Sequence, residues 1–126
     1  MANTIRIGII GTGGIATAAH IPGYRALEDV EIAALCDVVP GRAAQVATDI
    51  PGARAYVDYR EMLAKEELDA VSVTTPNSAH REATVAAFEA GLHVLCEKPI
   101  AMSLAEGQEM AEAARELGYE YLVISD

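Results

Sequence analysis

Six short apolar runs, at residues 4–10, 31–38, 53–57, 68–74, 92–96 and 120–125, are separated by segments that read as helices. Strands that are apolar on both faces and joined through helices call for a parallel sheet covered on both sides. Right-handed crossovers then predict an α/β, doubly wound parallel sheet of about six strands in the order 3-2-1-4-5-6. The intervening helices are expected at 15–24, broken near His20–Ile21 by Pro22, and at 40–49, with Pro40 in the first turn. Further helices are expected at 59–65 and at 79–90, the latter ended by Gly91 as a left-handed cap. Ser103-Leu104-Ala105-Glu106 matches a capping box that opens a last helix running to about Leu117.

The chain has 126 residues, the size of one domain, and is 52% apolar, which argues against disorder. With no Trp and one Phe, its core must be built from Ala, Val, Ile and Leu. A formal charge of −10 repels nucleic-acid phosphates and anionic lipid, so neither is expected as a partner. No apolar run approaches the roughly 20 residues that cross a bilayer, and the start lacks a signal-peptide pattern. Cys36 and Cys96 have no metal-ligand spacing and fall on strands that are not neighbours in the expected order. They read as buried thiols in a reducing, cytoplasmic compartment, with no metal site.

Gly11-Thr12-Gly13-Gly14-Ile15-Ala16 is a G-x-G-x-x-A loop between the first strand and its helix. The first glycine permits the tight turn, the second lets the backbone approach a pyrophosphate, and the small third residue lets the helix lie close on the sheet. Asp37 ends the second strand, 21 residues beyond Ala16, close to the spacing at which a carboxylate accepts from ribose hydroxyls. Such a carboxylate repels a 2′-phosphate, which favours NAD over NADP. Arg42 tempers that choice, because a guanidinium nearby could hold the phosphate. The adjacent Val38 and Val39 offer no donor. Asp37 also suits a helix N-cap, and that alternative stays open.

All strands of a parallel sheet end at one rim, so Gly11, Asp37, Thr75 and Glu97 should gather there. Thr75-Pro76-Asn77 is expected to face the glycine loop across the crevice where strand order reverses. Asn77 can bond a carboxamide or ribose, and Pro76 offers an apolar surface to a ring. His80 follows within reach of the crevice, whereas His20 and His93 read as structural. Lys98 is the lysine at that rim, where an ammonium could orient a substrate hydroxyl, and Glu97 beside it could hold it in place.

Taken together, IGIIGTGGIA, LCDV, VDYREML, LDAVSVTTPNSAH and AFEAGLHVLCEKP resemble the N-terminal domain of the Gfo/Idh/MocA family, the glucose–fructose oxidoreductase and inositol dehydrogenase group. The resemblance runs from about Thr4 to Val123. It implies a nicotinamide-dependent oxidoreductase acting on sugars, cyclitols or related hydroxy compounds. By position it assigns Gly11, Thr12, Gly13 and Ile15 to the pyrophosphate loop and Asp37 to the adenosine ribose, with Gly14 and Val38 counted beside them as cofactor-binding. Thr75, Pro76, Asn77 and His80 fall to the nicotinamide-side wall, and Glu97 and Lys98 to the family's EKP pair, Lys98 being catalytic.

Residues 1–126 then form a dinucleotide-binding domain, and the family's second α/β domain, with its catalytic histidine and most substrate contacts, is expected to be absent from this chain. By itself the chain should bind NAD with little turnover. Two alternatives are a non-catalytic NAD(P)-binding sensor and a structural fragment that self-associates as a homo-oligomer.

Overall fold

The first apolar run forms strand β1 (Ile5–Ile10), which pairs in parallel with β2 (Val30–Cys36) on one side and β4 (Ala70–Val73) on the other. Beyond β2 lies β3 (Arg54–Tyr56); beyond β4 lie β5 (His93–Glu97) and β6 (Tyr121–Ile124). The computed structural model describes residues 4–14, 16–75, 80–97, 104–117 and 121–124. Among these the sheet order is β3-β2-β1-β4-β5-β6, every pairing parallel, the doubly wound order expected from the strand–helix alternation.

Alternation along β1 and β4 divides the core. Ile7 and Ile9 pack with Ile32, Leu35, Ala43 and Ile50 on one face. Ile10, Val71 and Val73 pack with Met62, Ala87 and Phe88 on the other. In β2 the pairing with β1 slips by one residue, so that Ile7 faces Ile32 while Gly8 faces Ala34. The extra residue, Ala33, is a bulge that resets the side-chain phase. Ile32 and Leu35 therefore share one face although they are three positions apart, and Cys36 turns to the other.

The helix after the glycine loop departs from simple α geometry. Ala16–His20 winds as a π-helix and passes into α1 (Ile21–Arg25), with Pro22 in the first turn. Proline has no N–H to give and its ring crowds the carbonyl four residues back, which the wider winding relieves. The break expected near His20–Ile21 thus takes the form of a change of winding. His20 is buried on β4, its Nδ1 3.2 Å from Ser72 Oγ, and the Tyr24 hydroxyl bonds the same oxygen.

The remaining helices are α2 (Arg42–Ala47), α3 (Tyr59–Lys65), α4 (His80–Glu89) and α5 (Leu104–Leu117). α2 corrects one expectation. Pro40 is not in its first turn, because Gly41, at φ 82°, is the N-cap and the helix starts at Arg42. α3 is capped by Asp58, whose carboxylate accepts from Arg60 N–H at 2.9 Å. No helix among the described residues is long and apolar enough to cross a membrane.

Candidate dinucleotide site

Gly11 leaves β1 at φ 98°, a left-handed conformation that L side chains avoid. A Cβ there would also stand 2.7 Å from the Thr74 carbonyl and 2.8 Å from the Thr75 nitrogen. The turn is fixed from both sides: Gly11 N–H donates to the Cys36 carbonyl at 2.8 Å, and the Thr74 hydroxyl donates to the Gly11 carbonyl at 2.5 Å. The ends of β1, β2 and β4 are thereby joined at the loop. Ala16 is fully buried, as close packing of the following helix requires.

Gly13 differs. Its φ is not positive, and a Cβ built on it would meet no atom within 4 Å. Nothing among the described residues requires glycine there. Its bare backbone instead borders a cavity of about 380 Å³ at the carboxyl ends of β1, β2 and β4. That is a size typical of small-ligand pockets. The second wall is Asp37, Val38, Val39 and Arg42, and the third is Thr74 and Thr75. Tyr59 from α3 and Glu82 with Ala83 from α4 complete it. A more open groove of about 550 Å³ between α3 and α4 mixes Arg60 and Arg81 with Glu82 and Glu89 and receives no strand end.

Asp37 is 7% exposed and well supplied with donors. Its Oδ2 accepts from both the N–H and the hydroxyl of Thr12, each at 2.9 Å, and its Oδ1 accepts from Val39 N–H at 2.9 Å. Arg42 stands 3.6 Å from Oδ2. Burial alone would raise the Asp37 pKa. The Val39 and Thr12 hydrogen bonds and the Arg42 charge outweigh it, and the carboxyl is held below its ordinary range. A carboxylate offers about four lone-pair sites, so Oδ1 retains capacity toward a hydroxyl in the cavity. Asp37 forms a turn with Val39 and does not cap α2, which removes the helix-cap alternative.

Val38 and Val39 are 78% and 41% exposed, an uncovered apolar pair beside the cavity. Cys36 lies beneath them, and burial, with Asp58 and Asp37 nearby, pushes its thiol up to about 12. Of the residues singled out in the sequence, Gly11, Gly13, Asp37, Val38 and Thr75 line this one space. Thr12 is buried and engaged with Asp37, Gly14 is exposed, His80 opens α4 and Glu97 ends β5. Ile15, Pro76, Asn77 and Lys98 lie outside the described residues. Tyr59 and Glu82 were not anticipated. The rule that strand ends share a rim extends to the residues after β3 and reaches Tyr59, whereas Glu82 depends on how α4 is rotated.

A model of an oxidoreductase family with an NAD-binding Rossmann fold, GFO_IDH_MocA, matches residues 5–125. The chain belongs to the Gfo/Idh/MocA family. It is 39% identical over 117 residues to D-glucoside 3-dehydrogenase of Escherichia coli strain K12, covering 93% of this chain and 33% of that protein. The WlbA dehydrogenase of Bordetella pertussis, solved in complex with NADH and UDP-GlcNAcA, superposes with a TM-score of 0.92 at 30% identity. That match covers 98% of this chain and 36% of the other. KijD10, a 3-ketoreductase of Actinomadura kijaniata solved with NADP and TDP-benzene, gives 0.89 at 30% identity over 96% of this chain and 37% of its own. The chain thus spans about a third of the length of the Gfo/Idh/MocA relatives it matches. Its Rossmann sheet, glycine loop and strand-end cavity fit the nicotinamide dinucleotide that this family binds.

Proposed function

We propose that this chain is the dinucleotide domain of an NAD-preferring oxidoreductase whose substrate is a sugar, cyclitol or related hydroxy compound. The carrying observation is Gly13, a glycine with no internal reason to be one, facing across a cavity a carboxylate held in its charged form. The bare loop of Gly11, Gly13 and Gly14, with Ile15, would take the diphosphate. Asp37 Oδ1 would accept from an adenosine ribose hydroxyl while Val38 lies along the base. Arg42 is engaged by Asp37, so its guanidinium is compensated and less available to a 2′-phosphate. This supports NAD over NADP, although relatives take either form.

A bound nicotinamide supplies the site that gives or takes a hydride at C4. On the family resemblance, Thr75, Pro76, Asn77 and His80 wall that end. Lys98, oriented by Glu97, holds the substrate oxygen and stabilises charge on it as the hydroxyl proton leaves. The proton acceptor is a histidine of a second domain outside residues 1–126. The buried, protonated thiol of Cys36 suits a reducing cytoplasm, and the acidic charge disfavours nucleic acid as a partner.

Fluorescence titration with NADH and NADPH tests this. NADH is expected to bind at least about tenfold more tightly, given the charge opposed to a 2′-phosphate. Equal or tighter NADPH binding overturns the preference, and failure of both to bind overturns the domain's role. In the full-length oxidoreductase, Lys98→Ala should lower kcat by about 100-fold or more while leaving the NADH dissociation constant nearly unchanged.

A further inference from the structure

Tyr59 opens α3 in the cavity wall, yet its hydroxyl is buried and has no hydrogen-bond partner among the described residues. Buried phenol oxygens are ordinarily paired, and leaving one unpaired is costly. Burial raises its pKa; Arg60, whose guanidinium lies 4.8 Å over the ring centroid, opposes that rise, and Glu82, Asp58 and Cys36 add to it. The hydroxyl therefore keeps its proton and is a donor at neutral pH.

Glu82, an exposed carboxylate from α4, lines the same cavity. The wall thus offers one donor and one strong acceptor next to the uncovered apolar surface of Val38 and Val39. A flat heteroaromatic ring with an acceptor nitrogen and an exocyclic amino group matches that set. Adenine has both. Hypoxanthine replaces the amino group with a carbonyl, which would turn an oxygen toward the Glu82 carboxylate.

We propose that Tyr59 and Glu82 read the edge of the dinucleotide's purine, Tyr59 donating to a ring nitrogen and Glu82 accepting from the amino group of adenine. This rests on the dinucleotide reading above and adds base selectivity to it. Val38 and Val39 supply affinity for any flat base; the two polar groups discriminate among bases. Discrimination by polar mismatch is the stronger kind, because the wrong base turns an acceptor toward the Glu82 carboxylate in place of a donor.

The test compares NADH with reduced nicotinamide hypoxanthine dinucleotide by fluorescence titration of this chain. NADH is expected to bind about tenfold more tightly or better. Glu82→Gln should shrink that ratio to about two- to threefold, since an amide can turn its N–H toward a carbonyl. Tyr59→Phe should weaken NADH binding by about two- to tenfold, the worth of one hydrogen bond. The same substitution should raise the melting temperature of the ligand-free chain, because it removes an unpaired buried oxygen; a purely structural hydroxyl would lower it. Equal affinity of the wild-type chain for the two nucleotides overturns the proposal. So does an unchanged ratio in Glu82→Gln together with unchanged NADH affinity in Tyr59→Phe. Failure of NADH itself to bind overturns the dinucleotide reading, and is distinguished from these results because no ratio can then be measured.

Discussion

Thr12 donates twice to a single oxygen of Asp37, once from its backbone N–H and once from its hydroxyl, at 2.9 Å each. The pair ties the glycine loop to the end of β2 and orders the loop before any ligand arrives. A preordered loop loses less conformational entropy on binding, so the contact serves affinity as well as stability.

Asp37→Asn should cost about 1–3 kcal/mol at pH 7, since the amide cannot accept at both ends and loses its attraction to Arg42. The folded carboxyl titrates below its unfolded value of about 3.9. Its stabilisation is therefore complete above about pH 4 and drains away as pH falls through the depressed folded value. Urea denaturation at pH 7, 5 and 3 should show the gap between wild type and variant constant over the first two and narrowed at the third. A gap that widens on acidification would contradict this account of Asp37.

Gly11→Ala and Gly13→Ala should separate folding from binding. The first forces a side chain into a left-handed backbone and into the Thr74 carbonyl, and should cost at least about 2 kcal/mol. The second meets open space and should change stability by no more than about 0.5 kcal/mol. Its methyl would occupy the cavity edge and weaken NADH by about tenfold or more, at an expected cost of about 1.4 kcal/mol or greater. Paired thermal melts and NADH titrations of the two variants check both halves.

Thr84 lies fully buried in α4 with a hydroxyl that has no hydrogen-bond partner among the described residues. Thr84→Val keeps the shape and removes the unmatched oxygen, so it should stabilise the chain by about 1 kcal/mol. Calorimetry should place the melting temperature about 4 °C higher; a fall would show that the hydroxyl has a role in the folded state.

With its thiol at about 12, Cys36 is almost wholly protonated at pH 8 and 2% exposed, so it should resist iodoacetamide in the native chain. Peptide mass spectrometry should find Cys36 modified only after urea is added. Rapid native labelling would mean that the cavity floor opens.

The sheet was legible because Val, Ile and Leu runs recur between helix signals, and a parallel, doubly wound order is the arrangement that covers both faces of such strands. Gly91, whose φ is 87°, marked a helix limit through its own backbone freedom, whereas Ser103 of the expected capping box lies outside the described residues. The bulge at Ala33 was not legible, since it answers to the pairing of β2 with β1 and leaves no trace in β2 alone. Nor was the start of α2: Pro40 suits a first helical turn, but the Asp37–Val39 turn occupies the chain before it and delays the helix to Arg42. In the site, Gly11 and Asp37 announced themselves through spacing. Tyr59 and Glu82 did not, because their relevance comes from the approach of α3 and α4 to a common wall.

The wide winding at Ala16–His20 has a consequence for how this loop tolerates length changes. A π turn holds one residue more than an α turn, so removing one residue between positions 16 and 20 would let the segment relax to ordinary α-helix with the glycine turn kept nearly in phase with α1. His20 and Tyr24 lie after the point of change and would still meet the same serine. The wide turn absorbs the extra residue where it stands, so the compass bearing of the glycine turn against the anchor on β4 survives the change in length.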